Sequence, residues 1–250
     1  MEFSALTKTG TEHELNEDRL CINNKLLKEG SISGNAHPTI TAIICDGVGS
    51  EAGGAEAATI AAECFCGKDI DVRDMNQTLS QLIHVNEIIK NFQKKNSAFQ
   101  NCASTIAGIT MTDSEFVIFN AGDTRVYIFR RKHLIQLSQD HTKAQEMFDW
   151  KRIPSTNSVS RRYRNMLTAY LGGYTDEFTP YITKKRYFYK PGDLIILCSD
   201  GIYKSIKEED IEQILEQKIS LQEKCKAMQK LALQAGTTDD LSVVLINPAN

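Results

Sequence analysis

Apolar positions along the chain fall into two kinds of pattern, short continuous runs and helical stripes. Thr41-Ala42-Ile43-Ile44-Cys45, Phe116-Val117-Ile118-Phe119, Leu194-Ile195-Ile196-Leu197-Cys198 and Leu241-Ser242-Val243-Val244-Leu245-Ile246 have strand length and are bounded by Gly or Asp, as buried strands are. Residues 116–121, 126–129 and 133–137 read as a meander of short antiparallel strands, the first two separated by Gly122-Asp123-Thr124-Arg125, which has the composition of a tight turn. Residues 51–65 are alanine-rich, and Leu79, Leu82, Ile83, Val85, Ile88, Ile89 and Phe92 recur at the three-to-four spacing of a helix with one apolar face. Ser205 with Glu208 and Ser220 with Glu223 fit capping boxes ahead of two further stripes, and Gly236 is a natural helix stop. Runs of strands interrupted by helix pairs, without strict strand-helix alternation, predict an α+β fold with segregated layers.

Length and composition narrow the setting. A chain of 250 residues with no linker, repeat or low-complexity tail is expected to form a single domain over residues 1–250. A net charge of −3 gives no reason to expect nucleic acid or an anionic membrane as partner. The first 30 residues lack a continuous apolar core and no run is long enough to span a bilayer, so a cytoplasmic location is expected. The seven cysteines, at 21, 45, 64, 66, 102, 198 and 225, are odd in number, lie mostly in apolar segments and include no C-x-x-C pair, so all are expected to be reduced.

The chemistry lies at the strand ends. Asp46-Gly47 and Asp200-Gly201 each close an apolar run, Asp123 closes another, and Asp239 stands just before the last. Carboxylates gathered at converging strand ends repel unless a cation lies between them, and oxygen ligands favour a hard ion such as Mg2+ or Mn2+. Read singly, an Asp-Gly is an ordinary turn. No cysteine begins a C-x5-R loop; Cys198 comes nearest, with Lys204 where arginine would be needed. G-x4-G-K-[ST] and G-x-G-x-x-G are both missing, which argues against P-loop nucleotide hydrolysis and a dinucleotide fold.

Asn16-Glu17-Asp18, Asp46-Gly47-Val48-Gly49, Gly122-Asp123-Thr124-Arg125, Asp140-His141, Ser199-Asp200-Gly201 and Asp239-Asp240-Leu241-Ser242, in this order, resemble the motif series of metal-dependent Ser/Thr protein phosphatases of the 2C type. The resemblance implies two packed antiparallel β-sheets flanked by helices on both sides. It also implies a phosphatase whose binuclear Mn2+ or Mg2+ centre activates water for direct attack on phosphoserine and phosphothreonine. By resemblance Asp46, Asp200 and Asp239 hold one ion, and Asp46, the Gly47 carbonyl and Glu17, through water, hold the second. Asp18 orients a metal-bound water, or is a solvated carboxylate at a strand edge. Asp123, with Asp200, matches a weaker third ion site, and is equally a turn residue paired with Arg125. Residues 143–168 correspond to a mobile flap; their basic groups Lys151, Arg152, Arg161, Arg162 and Arg164 serve phosphopeptide recognition or form a solvated charge run.

Two positions depart from the family pattern. His13 stands where the family carries a phosphate-gripping arginine, four residues before Glu17, and becomes the candidate phosphate ligand, or an exposed loop histidine. Val48 stands where some members have a histidine that protonates the leaving group. Asp140-His141 reads as a buried turn whose side chains satisfy the backbone. Phosphorylated Ser/Thr proteins are the implied partners, with a cognate Ser/Thr kinase opposing the reaction. A non-catalytic module that keeps the fold, and a phosphatase of small phosphorylated metabolites, are the competing readings.

Overall fold

The computed structural model describes residues 1–49, 51–68, 70–71, 74–173, 178–183 and 186–248. In chain order the elements are β1 (Glu2–Lys8), β2 (Arg19–Ile22), β3 (Lys25–Leu27), β4 (Gly30–Asn35), β5 (Ile40–Cys45), β6 (Gly47–Val48), α1 (Glu51–Phe65) and α2 (Met75–Lys95). Then follow β7 (Ala103–Ser104), β8 (Ile106–Met111), β9 (Glu115–Ala121), β10 (Arg125–Arg130), β11 (His133–Gln136), α3 (Lys143–Asp149), α4 (Arg161–Arg164), β12 (Tyr181–Ile182) and β13 (Tyr187–Phe188). The chain closes with β14 (Leu194–Cys198), α5 (Asp200–Tyr203), α6 (Glu208–Glu216), α7 (Leu221–Gln234) and β15 (Leu241–Asn247).

One sheet runs β11-β10-β14-β15-β1-β4 and the other β12-β9-β8-β5-β2-β3, with β13 also on β9 and every pairing antiparallel. Side chains alternate across each strand, so a strand in the middle layer serves two cores at once. Leu20, Ile22, Ala42, Ile44, Ile109, Ile118, Val126, Ile128, Leu197, Val244 and Ile246 meet between the sheets. The opposite parity of the first sheet, Tyr127, Ile196, Val243 and Leu245, packs against Ile202, Ile211, Ile214, Cys225 and Met228 of α5, α6 and α7. The opposite parity of the second, Cys21, Ile43, Cys45 and Phe119, packs against Ala57, Ala58, Ala61, Ala62, Leu82, Val85 and Ile89 of α1 and α2. This is the predicted α+β sandwich, two antiparallel sheets with helices on both sides. The alanines of α1 let its axis lie close to the sheet, while α2 buries Leu82, Val85 and Ile89 and leaves Leu79 and Ile83 exposed.

Four expectations need correction. β9 and β10 are not neighbours: they belong to different sheets, so Gly122-Asp123-Thr124 carries the chain across the sandwich instead of closing a hairpin. The Gly-Asp pair that permits a tight turn permits this crossing equally, and Gly122, at φ +109°, packs against Thr105 where a Cβ would collide. Cys21 and Cys66 form a disulfide, with Cα atoms 6.0 Å apart, because the end of α1 returns over β2; the other five cysteines are free thiols. Ser205 does not cap α6, whose N-cap is Lys207 with no side-chain bond, whereas Ser220 and Glu223 do form a capping box on α7. Asp123 does not pair with Arg125, whose guanidinium grips Asp140 at 2.6–3.1 Å. No helix among the described residues is long and apolar enough to cross a membrane.

Candidate active site

Antiparallel pairing collects strand termini. In the first sheet the register Arg125↔Cys198, Cys198↔Val243 and Lys8↔Leu241 puts the start of β10, the end of β14, the start of β15 and the end of β1 at one edge. In the second, Arg19↔Cys45, Ile44↔Ala107 and Ile106↔Ala121 does the same for β2, β5, β8 and β9. These edges lie over one another. The Asp46 carboxyl is therefore held well above the usual carboxylate range, first by burial and then by the charges of Asp18, Asp200, Asp239 and Asp123.

Each carboxylate has a fixed backbone. At Asp46 the peptide N–H donates to Thr105 Oγ1 (3.2 Å), and the carbonyl accepts from Thr105 N (2.8 Å) and Ser104 Oγ (3.1 Å). The next residue, Gly47, packs directly on Gly54 near the start of α1, and Gly54 in turn lies against the Glu17 carboxylate, leaving no room for a Cβ at either glycine. Asn16 organises the segment before β2: its side chain accepts from Asp18 N (2.9 Å), and Arg19 donates to the carbonyls of Asn16 (2.6 Å) and Asp18 (2.8 Å). The Asp18 side chain is buried and accepts from Ser199 Oγ (2.8 Å). Burial raises its pKa far more than the bonds from Ser242 and Ser199 lower it, and Asp240 and Asp200 add to the rise. Asp239, an exposed residue whose carboxyl is crowded on its inner side, is pushed up to about 7, by loss of hydration there and by Asp200.

Asp240 is the residue that sequence reasoning passed over in favour of Asp239. It is buried, accepts from Gly10 N (2.7 Å) and Glu17 N (2.6 Å), and lies 3.2 Å from His13 Nδ1. Ligating atoms of His13, Glu17 and Asp240 fall within 4.8 Å of one another. Strand parity was the available signal: Asp240 continues the alternation of Ser242, Val244 and Ile246 into the space between the sheets, whereas Asp239 continues the other face. For His13, burial favours the neutral ring, but the adjoining Asp240 carboxylate and the charges of Asp239 and Glu17 outweigh it and raise the pKa.

A second group adjoins the first. Asp123, buried at the crossing between sheets, accepts from Tyr203 Oη (3.2 Å) and Lys204 Nζ (3.0 Å), and the same ammonium lies 2.7 Å from Asp200 Oδ2. Arg125 stacks on Tyr203 at 3.8 Å and donates to Asp140 and Tyr127. Asp140 thus serves a guanidinium rather than the backbone; His141 does meet the backbone, accepting from Gly122 N at 3.3 Å.

The segment 143–168 contains α3 and α4 and is closed at its base by an antiparallel bridge between Thr142 and Leu167. Arg161, Arg164, Asn157 and Gln145 on this segment line, together with Asp200, Lys204 and Asp239, an open groove of about 1040 Å3. Trp150 is exposed and lies beneath Lys143 and Arg152, with the cations 5.2 and 4.7 Å from its ring.

The donor set is made of oxygen atoms, carries excess negative charge and is partly buried. Such a set suits a hard divalent cation, because bringing carboxylates together without one makes each harder to ionise, as the raised pKa values of Asp18, Asp46, Asp123 and Asp239 reflect.

Known proteins share this architecture. The chain is 25% identical over 242 residues to the serine/threonine phosphatase stp of Listeria monocytogenes serotype 4b (strain F2365), covering 93% of this chain and 94% of that one. Its fold matches the S. agalactiae serine/threonine phosphatase with a TM-score of 0.81 at 20% identity over 98% of both chains. It also matches the catalytic domain of the serine threonine protein phosphatase PstP in complex with two manganese ions, with a TM-score of 0.77 at 22% identity over 98% of both chains. The family model described as Protein phosphatase 2C matches residues 29–234, and with the carboxylates of that motif series gathered at one edge of the sandwich, the chain belongs to the protein phosphatase 2C family and is a phosphatase of that type.

Proposed function

We propose that this protein hydrolyses phosphoserine and phosphothreonine on proteins, using a pair of divalent cations, Mn2+ or Mg2+, held at the joined strand ends. The observation that carries the reading is Asp46, half-buried and facing the charges of Asp18, Asp200, Asp239 and Asp123, a concentration of negative charge that a cation relieves. By the family resemblance Asp46, Asp200 and Asp239 would hold one ion and Asp46, the Gly47 carbonyl and Glu17 the other, although among the described residues the ligand atoms found within 4.8 Å of one another are those of His13, Glu17 and Asp240. Bound there, such ions supply Lewis acidity, polarising the phosphoryl oxygens and making water nucleophilic at neutral pH.

The chain's own residues do the rest. Asp18, held by Ser199, presents a carboxylate that accepts a hydrogen bond from the attacking water and fixes its direction. His13, whose pKa the adjoining Asp240 carboxylate raises, donates in its protonated form to a phosphoryl oxygen with a charge-assisted bond. A side-chain nucleophile is not needed. Cys198, the cysteine nearest in sequence to a phosphatase loop, is buried and pushed up to about 12, so it is no thiolate at neutral pH. Val48 pairs with Ala103 across β6 and β7 and offers no proton, so leaving-group protonation falls to solvent in the open groove.

The groove favours a protein substrate over a small metabolite. It is open, about 1040 Å3 in volume and lined by Arg161 and Arg164 as well as Asp200 and Asp239, which suits a phosphorylated segment with acidic neighbours. The related stp and PstP are named for serine/threonine phosphatase activity, and a Ser/Thr kinase acting on the same proteins is the implied opposing partner.

Phosphate release from a phosphothreonine peptide, from p-nitrophenyl phosphate and from a phosphorylated sugar, each with Mn2+ and with chelator, tests the reading. Metal-dependent turnover with the peptide preferred in kcat/KM supports it. No turnover on any substrate points to a binding module, and preference for the sugar to a metabolite enzyme.

A further inference from the structure

Asp123 and Asp200 reach each other at one edge of the first sheet, Asp123 where the crossing after β9 enters β10 and Asp200 where β14 runs into α5, as the register Arg125↔Cys198 dictates. Two carboxylates so placed in a partly buried site need a counter-charge. Lys204, one helical turn beyond Asp200, supplies it: its ammonium lies 2.7 Å from Asp200 Oδ2 and 3.0 Å from Asp123 Oδ2. Tyr203 Oη donates to the same Asp123 oxygen at 3.2 Å. The neighbouring Arg125 is committed elsewhere, with its guanidinium bonded to Asp140 and Tyr127. Among the described residues, Lys204 is the cation placed between the two carboxylates.

The resemblance assigns a third divalent ion to Asp123 with Asp200. The residues present do not fit it, because the ammonium already stands where both carboxylates point, and an ion entering there would have to displace a cation tethered to the same helix as one of its ligands. We infer that Lys204 is a built-in substitute for that ion: it neutralises Asp123 and Asp200, so the pair takes no divalent cation, and it positions Asp200 by holding one of its oxygens. An ammonium differs from a divalent ion in kind. It carries one charge instead of two, donates hydrogen bonds and activates no water. The consequence is an enzyme whose metal requirement is confined to the ions around Asp46, and whose metal count does not rise when Mn2+ is raised into the millimolar range. This rests on the proposed metal centre, and the experiment separates the two.

Bound Mn2+ is counted by equilibrium dialysis and elemental analysis, at micromolar and millimolar free Mn2+, for wild type, Lys204→Ala, Lys204→Arg, Asp123→Asn and Lys204→Ala/Asp123→Asn, with circular dichroism as the check on folding. Lys204→Ala is expected to bind one ion more than wild type at millimolar Mn2+, because the freed carboxylate pair then seeks a cation. Lys204→Arg, which keeps the charge, and the double variant, which removes half the pair, are expected to keep the wild-type count. Asp123→Asn alone is also expected to keep it, which holds the test open if Lys204→Ala folds poorly. An equal count in wild type and folded Lys204→Ala overturns the inference, as does the loss of one ion in Asp123→Asn. Failure of the underlying metal centre looks different: wild type and Asp46→Asn would bind Mn2+ equally.

Discussion

Asp240→Ala is expected to loosen the loop that carries His13 and Glu17, and its cost follows from what the carboxylate holds. Asp240 is buried and accepts two backbone N–H groups, from Gly10 at 2.7 Å and Glu17 at 2.6 Å, across more than 220 residues of sequence. Hydrogen bonds to a charged group contribute about 1.5–3 kcal/mol each, and buried donors left without an acceptor cost a comparable amount. The gross loss is therefore roughly 3–6 kcal/mol. Against this stands a relief, because Asp240 is one of the charges that raises the pKa of Asp18, and removing it lowers the repulsion within the site. The hydrogen bonds win, since their geometry is short and local while the repulsion is spread over several carboxylates. The net destabilisation is expected at about 2–4 kcal/mol, or roughly 5–15 °C in Tm for a chain of this size. Asp240→Asn keeps one acceptor and turns an NH2 group toward the other N–H, so about half of the loss is expected. Urea unfolding in EDTA measures both variants without metal binding in the balance, and an unchanged m-value shows that stability alone has moved. A midpoint for Asp240→Ala within about 0.5 kcal/mol of wild type would refute the clamp.

Other expectations follow from the same geometry. His13 has a folded-state pKa above its unfolded value of about 6.5, so its pairing with Asp240 stabilises the protein fully below that pH and fades as pH rises through the folded value; His13→Ala should narrow its stability gap to wild type between pH 6 and 8, and a gap that widens with pH contradicts the ion pair. In metal-free protein the raised pKa of Asp239, about 7, means stability falls as pH climbs from the unfolded value near 4 toward 7. Because Mn2+ removes that burden, its stabilisation should grow over the same range, reaching about 2.7 kcal/mol per site at 100 times the dissociation constant; thermal melts with and without Mn2+ across pH check this, and a pH-independent increment sinks it. Gly54→Ala places a methyl group against the Glu17 carboxylate and should cost about 1–3 kcal/mol while weakening Mn2+ binding, read by calorimetry; unaltered Mn2+ affinity would mean that Glu17 is not near an ion. Asp46→Asn and Asp239→Asn should abolish turnover without unfolding the chain, whereas alkylation of the free thiols should leave turnover intact, both read by phosphate release.

The sequence by itself determined which elements form and where the carboxylates stand along them. Strand runs, the alanine-rich helix and the Ser220–Glu223 cap are local matters, set by side-chain alternation, helical periodicity and bonds a few residues long. Asp46, Asp123 and Asp200 could be placed at strand ends for the same reason. What tertiary structure decided was which ends meet. The short segment after β9 has a turn's composition, yet the pairing of β10 with β14 and of β9 with β8 sends it across the sandwich, and only that crossing brings Asp123 to Asp200. Likewise Cys21 and Cys66 look like separate core residues until α1 folds back over β2. Asp240 and Lys204 show the limit most clearly. One is fixed by backbone donors from the other end of the chain and the other by a carboxylate 81 residues away in sequence, on the crossing between the sheets. Electrostatic partners are chosen by distance in space, which sequence spacing encodes only within a helix turn or a strand pair.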